Sequence, residues 1–479
     1  MDKSAKINSN VSLQPHQQRV LDKLDKTDGL LLYHGLGSGK TLSSIAGSEG
    51  LDTNVVVPAA LRKNYAKEVD KFTNGSSDRN VVSYANASLN GLPEADTLIL
   101  DEAHRIKNAD SARSKELVRA AKRHRKRILL TGTPISNNPA DLAPLIKMLN
   151  PGVKGVPLDA AAFNEKFVEE VPEDRNIFSD LFNTKRTGST FNMINGDILR
   201  KALKGRVDYH PTDQESYPTR NDTTREIEMS PSQEEYYDTV TGAANPVIAY
   251  KIENNMPLTK QETGQLNAFL QAARQVSNTT VPYGGTEVSP KVKGIVQDFM
   301  DASKKNPAHR GIVYSNYLKG GIVQVSKLMK EKRIKHAMFT GEMSDEEKAE
   351  AVKAYNTGKI KALLLSGAGA EGIDLKNTRS IQLMEPHWNK SRIDQVIGRG
   401  IRYKSHDSLP KEQRVVNVIK YLSTLPKSTW QRFWNDPARE SADQYLTHVT
   451  EKKQRLLNQF NEMLQQVGSE HGQGSRKIK

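Results

Sequence analysis

The sequence contains no cysteine in 479 residues. Disulfides, thiol catalysis and thiolate zinc sites are therefore excluded, and a reducing intracellular setting fits. Long apolar runs are also absent, since no stretch approaches the ~20 apolar residues that cross a bilayer. The first residues, Met1 to Asn8, lack the apolar core of a signal peptide. We therefore expect an intracellular soluble protein of the cytoplasm or nucleoid, with no membrane partner.

Acidic residues are fewer than basic ones. The chain carries 70 Lys and Arg against 56 Asp and Glu, which gives a formal net charge of +14. This excess favours a polyanionic partner such as nucleic acid, although a basic solvated surface would have the same composition. The length exceeds the roughly 250 residues at which single cores stop growing, so at least two domains are expected.

Short apolar runs bounded by turn residues or charges alternate with stretches of helical composition, such as Ala59–Asp70 and Ser111–Arg123. This alternation is typical of parallel sheets wrapped by helices, and it occurs early and again late in the chain. The predicted strands are Gly29–Tyr33, Asn54–Val57, Asn80–Ser83, Thr97–Leu100 and Arg127–Leu130, followed by Arg310–Tyr314, Lys335–Phe339, Lys361–Leu365, Ser380–Leu383 and Arg414–Ile419.

The fold class is therefore α/β, with two parallel-sheet domains in tandem. We place the first domain at residues 1–225, with a helical insertion after about 150, and a helical connecting region at 226–290. The second domain occupies 291–425, and a helical extension with a polar tail occupies 426–479.

A glycine-rich loop follows the first predicted strand and leads into a helical stretch. Its glycines let backbone N–H groups approach phosphates, Lys40 reaches the β and γ phosphates, and Thr41 can hold Mg²⁺. His34 departs from the strict pattern, which has glycine at that position. The sequence predicts an ATP site with Mg²⁺, and the alternative is a plain flexible turn. The loop residues are Gly35, Gly37, Ser38, Gly39, Lys40 and Thr41.

Two adjacent carboxylates, Asp101 and Glu102, end the apolar run Thr97–Leu100. Asp101 can bind Mg²⁺ through water, while Glu102 can orient and deprotonate the attacking water. An isolated pair of this kind is usually a solvated strand end. The upstream phosphate loop favours the catalytic interpretation.

Several further segments carry family motifs, and with them the chain resembles the superfamily-two helicases and translocases, in particular the SWI/SNF-type branch. The resemblance spans nearly the whole chain and implies two RecA-like lobes. The segments are Leu13–Gln17, Pro58–Tyr65, Ser83–Ala85, Asp101–Asn108, Leu130–Asn138, Gly311–Ser315, Ser366–Leu375 and Gln395–Arg402.

The resemblance also implies roles for single residues. Gln17 would contact adenine, Gly372 would approach the phosphates and Asp374 would face the ribose. Arg399 and Arg402 would act as arginine fingers on the γ-phosphate. The nucleic-acid contacts would be Pro58, Asn64, Ser83, Ser315 and Ser366.

Two departures resemble poxvirus nucleoside triphosphatases and similar viral or phage helicases with a DEAH motif. They are His34 and the residue sequence of the segment Gly398–Arg402. The segment Lys204–Tyr209 resembles the same group of viral enzymes. A viral source, acting in the cytoplasm of a host cell, is consistent with these features.

The sequence thus predicts a nucleic-acid-stimulated ATPase, and we favour a translocase on double-stranded DNA that does not separate the strands. The alternative is a strand-separating DNA or RNA helicase. A third reading is an ATP-driven switch or accessory motor subunit that depends on a protein partner.

Overall fold

The computed structural model describes residues 11–35, 37–73, 79–107, 110–172, 189–212, 216–242, 260–367, 373–387, 390–426 and 441–469. The chain forms two compact units. Unit 1 comprises Met1–Asp213 and Glu451–Lys479, and unit 2 comprises Gln214–Thr450. Within the described residues, no helix is both long and apolar enough to span a bilayer.

Unit 1 is built on a six-stranded sheet in which every neighbouring pair is parallel. Leu31 packs into one apolar cluster, whereas Leu30 and Leu32 pack into another on the opposite face. The order is β3-β2-β4-β5-β1-β8, formed by β1 (Gly29–His34), β2 (Thr53–Val57), β3 (Arg79–Ser83), β4 (Thr97–Asp101), β5 (Lys126–Thr131) and β8 (Val207–His210).

Helices precede or follow most of these strands, and polar caps fix where several begin. Ser83, Ser111 and Asp159 each accept a backbone N–H with their side chain at the start of a helix. A small antiparallel pair, β6 (Val168–Pro172) and β7 (Ser189–Met193), stands apart from the main sheet. The helices are α1 (Pro15–Leu24), α2 (Lys40–Gly47), α3 (Arg62–Phe72), α4 (Tyr84–Asn90), α5 (Ala112–Arg123), α6 (Leu142–Leu149), α7 (Ala160–Phe167) and α8 (Gly196–Leu203).

Unit 2 contains a second sheet of six strands, again with parallel neighbours throughout. Ile312 and Tyr314 pack into one apolar cluster and Val313 into another, so both faces are covered. The order is β11-β12-β10-β13-β14-β9, formed by β9 (Thr219–Glu228), β10 (Gly311–Ser315), β11 (His336–Phe339), β12 (Ala362–Ser366), β13 (Ser380–Leu383) and β14 (Val415–Thr424).

The helices of unit 2 include two with clear N-terminal signals. Ser289 caps one through the N–H of Val292, and Ser344 forms a capping box with Glu347 at another. They are α9 (Pro231–Gly242), α10 (Lys260–Asn278), α11 (Pro290–Lys305), α12 (Val323–Glu331), α13 (Asp345–Asn356) and α14 (Lys390–Gly400).

The C-terminal helix α15 (Ala442–Ser469) begins in unit 2 and ends in unit 1. In unit 1, Leu456, Phe460 and Leu464 recur at helical spacing and belong to the main apolar cluster. Of the helical extension and polar tail predicted at 426–479, the structure describes the helix over Ala442–Ser469, and residues 470–479 lie outside the described part of the chain.

The α/β fold with two parallel-sheet lobes is confirmed, and all ten predicted strands are present. The change of unit lies at Asp213, however, whereas we placed the end of the first domain at 225. The strand β9 pairs along its whole length with β14 in the sheet of unit 2. Nine of its ten residues are exposed, so no apolar run marks it in the sequence.

Candidate functional site

The glycine loop between β1 and α2 has the backbone that its sequence predicts. Gly37 and Gly39 adopt left-handed φ values of 77° and 71°, which favour glycine. The ammonium of Lys40, the first residue of α2, donates to the carbonyls of His34 at 3.0 Å and Gly35 at 2.9 Å. The side chain of Lys40 is thus folded back onto the loop, and in the predicted function it would bind the phosphates of ATP.

Gln17 lies in α1 beside this loop and is buried. Its Oε1 accepts from the N–H of Gln14 at 2.9 Å, and its Nε2 is 3.4 Å from the carbonyl oxygen of Ser38. His16 Nε2 lies 2.8 Å from the same carbonyl oxygen. Gln17, the residue predicted to contact adenine, is therefore next to the loop, and its side-chain amide forms hydrogen bonds with backbone groups of Gln14 and Ser38.

Asp101 is the last residue of β4, and Glu102 follows it with a left-handed φ of 54°. Asp101 Oδ1 accepts from the N–H of Glu102 at 3.0 Å. Burial and, to a smaller extent, the charge of Glu102 raise the pKa of Asp101 to about 6, against the opposing charge of Lys40. Burial lowers the pKa of Lys40 in turn, against the attraction of both acids. The predicted lysine and acids therefore share one site.

Thr41, the predicted Mg²⁺ ligand, lies close enough to Glu68 of α3 for its hydroxyl to lower the pKa of that carboxyl in part. Burial raises the pKa of Glu68, and its charge also raises that of Asp101. Sequence analysis missed this third carboxylate, because nothing distinguishes it from other charged residues of an exposed helix. The surplus of negative charge around Thr41 and Asp101 fits a divalent cation.

His104 connects Glu102, the predicted general base, to the end of β5. Its Nδ1 lies 3.1 Å from Thr131 Oγ1 and 3.3 Å from Glu102 Oε2. Thr131 Oγ1 also accepts from the N–H of Thr133 at 3.0 Å. Burial lowers the pKa of His104, so the neutral imidazole is favoured at neutral pH. The segment Leu130–Asn138 is thereby joined to Glu102 through one histidine.

In unit 2 the predicted arginines lie at the end of α14 and just after it. Arg402 Nη1 is 3.8 Å from Asp374 Oδ1, and both side chains are more than a third exposed. The carbonyl of Arg399 accepts from the N–H of Leu375 at 3.2 Å. The structure therefore brings the predicted ribose contact and Arg402 together, while Gly372 lies outside the described residues.

The predicted nucleic-acid contacts divide into accessible and buried positions. Asn64 is exposed, and the half-buried Ser83 accepts the N–H of Asn86 as a helix cap. Pro58 is buried, as are the hydroxyls at the ends of the inner strands β10 and β12, Ser315 and Ser366. These three positions therefore differ from the expectation that they face a nucleic-acid strand.

Ser315 shows the physical reason for this burial. Its hydroxyl donates to Glu385 Oε2 at 2.9 Å, and Asn278 Nδ2 donates to the same oxygen at 2.8 Å. Glu385 is 2% exposed and is satisfied by these polar neighbours. The hydroxyl of Ser315 therefore stabilises a buried carboxylate at the end of β10.

Two family models match the chain in succession. The SNF2-related domain matches residues 85–281, and the helicase conserved C-terminal domain matches 291–404. The phosphate loop precedes the first of these matches, so its assignment depends on the geometry described above.

Two relatives that cover nearly the whole chain are viral proteins. A protein of Acanthamoeba polyphaga mimivirus named as an ATP-dependent RNA helicase is 30% identical, over 95% of this chain and 97% of its own length. A termination factor NPH-I homologue of African swine fever virus is 23% identical, over 93% of this chain and 76% of its own. The predicted resemblance to viral enzymes is confirmed.

Among solved structures, a Sulfolobus solfataricus SWI2/SNF2 ATPase core in complex with double-stranded DNA aligns with 95% of this chain and 97% of its own. The identity is 18% and the TM-score is 0.35, too low for comparing positions. From the family models and the mimivirus relative, the chain belongs to the SNF2-related branch of helicase superfamily two and has its ATP-dependent helicase domains.

Proposed function

We propose that this protein is a motor that hydrolyses ATP to move along double-stranded DNA without separating the strands. The observation that carries the ATPase assignment is the meeting of Lys40 with Asp101 and Glu102 in one partly buried site. The SNF2-related match over 85–281 supports the choice of double-stranded DNA, since its motifs are of the SWI/SNF type.

In this proposal the glycine loop holds the triphosphate through its backbone N–H groups at the start of α2. Lys40 leaves the carbonyls of His34 and Gly35 and moves to the β and γ phosphates, which are stronger acceptors for an ammonium group. Thr41 and Asp101 would hold Mg²⁺, which supplies positive charge to the phosphates during transfer.

Glu102 orients the attacking water and accepts its proton. Its carboxylate already has a second contact, since Glu102 Oε2 lies 3.3 Å from His104 Nδ1. A change in that contact during hydrolysis would alter the hydrogen bond between His104 Nδ1 and the Oγ1 of Thr131. We infer that His104 reports the state of the ATP site to the segment Leu130–Asn138.

The two arginines of unit 2 supply the remaining charge in the proposal. Arg402 now lies 3.8 Å from Asp374 in an exposed ion pair. In the proposal, Arg402 and Arg399 would stabilise the charge that develops on the γ-phosphate. Asn64 and Ser83 remain the candidate nucleic-acid contacts in unit 1, because their side chains are at least partly accessible.

A second candidate is a helicase that separates strands, with RNA as its track. The name of the mimivirus relative favours it, and that relative matches this chain over nearly its full length. A third candidate is an ATP switch or accessory subunit that responds to a protein.

One experiment separates the candidates. ATP turnover is measured with the full chain on duplex DNA, single-stranded DNA, duplex RNA and single-stranded RNA of equal length, over a series of salt concentrations. Release of a labelled strand is followed in parallel on tailed DNA and RNA duplexes. We expect duplex DNA to stimulate most, with no strand release and with a steep loss of DNA affinity as salt rises.

The other outcomes are equally specific. Strongest stimulation by RNA, together with strand release, would overturn the duplex translocase and support the second candidate. If none of the nucleic acids increases the rate of ATP hydrolysis, the third candidate, an ATP switch or accessory subunit, would be supported.

A further inference from the structure

A buried carboxylate lies next to the phosphate loop and has no part in the mechanism so far. Asp208, in β8, is 0% exposed. It accepts from His34 Nε2 at 2.7 Å, from Arg19 at 2.8 and 3.0 Å, and pairs with Lys23 Nζ at 2.7 Å. Burial alone would raise the pKa of Asp208, but these donors outweigh it and hold the pKa well below its usual range. The carboxylate is therefore ionised, and both of its oxygens have hydrogen-bond or ion-pair partners.

His34 is the residue that replaces glycine in the strict loop pattern, and it is also 0% exposed. The ionised Asp208 can only accept, so His34 must donate through its Nε2–H. Its Nδ1 is buried and has no hydrogen-bond partner among the described residues. Burial lowers the pKa of His34, which agrees with a neutral ring in this tautomer.

His34 also holds the start of the loop through its backbone. Its carbonyl accepts from Lys40, and the next N–H, of Gly35, donates to the carbonyl of His210 at 2.9 Å. A Cβ atom on Gly35 would collide with the backbone of Thr212. The end of β8 and the start of the loop therefore fit closely, with Asp208 fixing the side chain between them.

The same carboxylate reaches the loop by a second route. Arg19 and Lys23 belong to α1, the helix whose His16 and Gln17 contact the carbonyl of Ser38. Asp208 therefore binds both the strand that enters the loop and the helix that lies against its middle.

We propose that Asp208 is a positioning residue for ATP, which holds the phosphate loop in its binding conformation through His34 and α1. This inference rests on the proposed ATPase function. A loop held in place binds the phosphates equally in the ground state and in the transition state, so its loss raises KM for ATP and largely spares kcat.

The test compares variants of the full chain that keep or lose the donor at position 34. His34→Leu removes the hydrogen bond to Asp208, whereas His34→Gln keeps an N–H that can donate to it. We expect His34→Leu and Asp208→Asn to raise KM for ATP about tenfold, the scale of one hydrogen bond to a charged group. We expect kcat at saturating ATP and nucleic acid to change less than about threefold, and His34→Gln to stay near the wild type.

A matched control and a double variant complete the design. Asp22→Asn removes an exposed carboxylate from the same helix α1 and should leave both constants unchanged. The double variant Asp208→Asn/His34→Leu should be no worse than the poorer single variant, because both changes act on the same contact between β8 and the start of the loop. Additive increases in KM would show that the two residues act independently, and a lower unfolding temperature with an unchanged KM would show a purely structural role. Either result would overturn the proposal.

Two further outcomes are decisive. If Asp208→Asn does not fold because Arg19 and Lys23 lose their partner, His34→Leu and His34→Gln are compared instead. Equal KM values for ATP in these two variants would overturn the proposal. If the wild type and Lys40→Ala hydrolyse ATP equally, the proposed function itself fails. An active wild type with an inactive Lys40→Ala and an unaffected His34→Leu would reject only the positioning role.

Discussion

His309 should make unit 2 less stable in acid. The imidazole precedes β10 and is 4% exposed, with Nε2 at 3.0 Å from Ser380 Oγ. Its ring packs edge-on against Phe299, with centroids 5.0 Å apart. Burial, together with the charges of Arg379 and Lys361, lowers the pKa of His309 to about 4. The neutral ring is the form that the folded unit accommodates.

The size of the effect follows from the two pKa values. The ordinary value is 6.5 and the folded value about 4; at 1.36 kcal/mol for each pKa unit, the full difference is about 3.4 kcal/mol. Because the folded pKa is the lower one, the unfolded chain takes up the proton first. Stability is therefore complete above pH 6.5 and decreases as the pH falls toward 4, and by pH 4.5 the loss is about 2.5 kcal/mol.

Tryptophan fluorescence can follow this unit separately, because all three tryptophans, Trp388, Trp430 and Trp434, fall within Gln214–Thr450. Urea unfolding would be measured near pH 7.5 and pH 4.5 for the wild type and for His309→Gln, which does not titrate. We expect the wild type to lose about 2.5 kcal/mol more than the variant between the two conditions.

A second variant tests the cause. Ser380→Ala removes the hydroxyl partner and keeps the buried imidazole, so the acid loss should persist if burial is the main cause. An equal loss in the wild type and in His309→Gln would refute the argument.

Three predictions concern ATP hydrolysis. Lys40→Ala should abolish turnover and leave nucleic-acid affinity largely intact, and loss of both in a folded variant, checked by circular dichroism, would count against the site. Glu102→Gln should lower turnover at least about 100-fold, as expected for a lost general base, while ATP affinity by equilibrium titration persists because Asp101 remains. Normal turnover in this variant would exclude Glu102 as the base. Arg402→Ala and Arg399→Ala should each lower turnover about 10³-fold with little change in ATP affinity, the scale on which arginine fingers act; near-normal turnover in both would remove them from the site.

The strands of both sheets could be predicted because parallel strands buried on both faces form continuous apolar runs. Leu30 to Leu32 and Leu363 to Leu365 are examples, and all six residues are fully buried. The strand β9 breaks this rule, since it is an exposed sheet edge that, within the described residues, pairs with β14 alone. Its backbone pairing leaves no trace in side-chain hydrophobicity, so the end of the first unit was set too late.

The grouping of Lys40, Asp101 and Glu102 could be predicted to a similar extent. Lys40, Asp101 and Glu102 follow the carboxyl ends of β1 and β4, and parallel strands place such ends along one edge of a sheet. Strand position did not reveal which way a side chain points. Ser315 ends β10, yet it faces the buried Glu385, and a motif alone does not distinguish that direction from an outward one.

The contact between His34 and Asp208 was beyond sequence analysis, although His34 departs from the strict loop pattern and Asp208 lies in the segment Lys204–Tyr209, which resembles viral enzymes. The two residues are 174 positions apart and meet because β8 lies next to β1 in the sheet. A glycine at position 34 would take one donor from the buried carboxylate and leave a void beside it, and buried polar groups that lose partners are costly. We therefore predict that relatives with glycine in place of His34 lack an acid in place of Asp208. An alignment of relatives in which the acid occurs equally often with either residue would contradict this coupling.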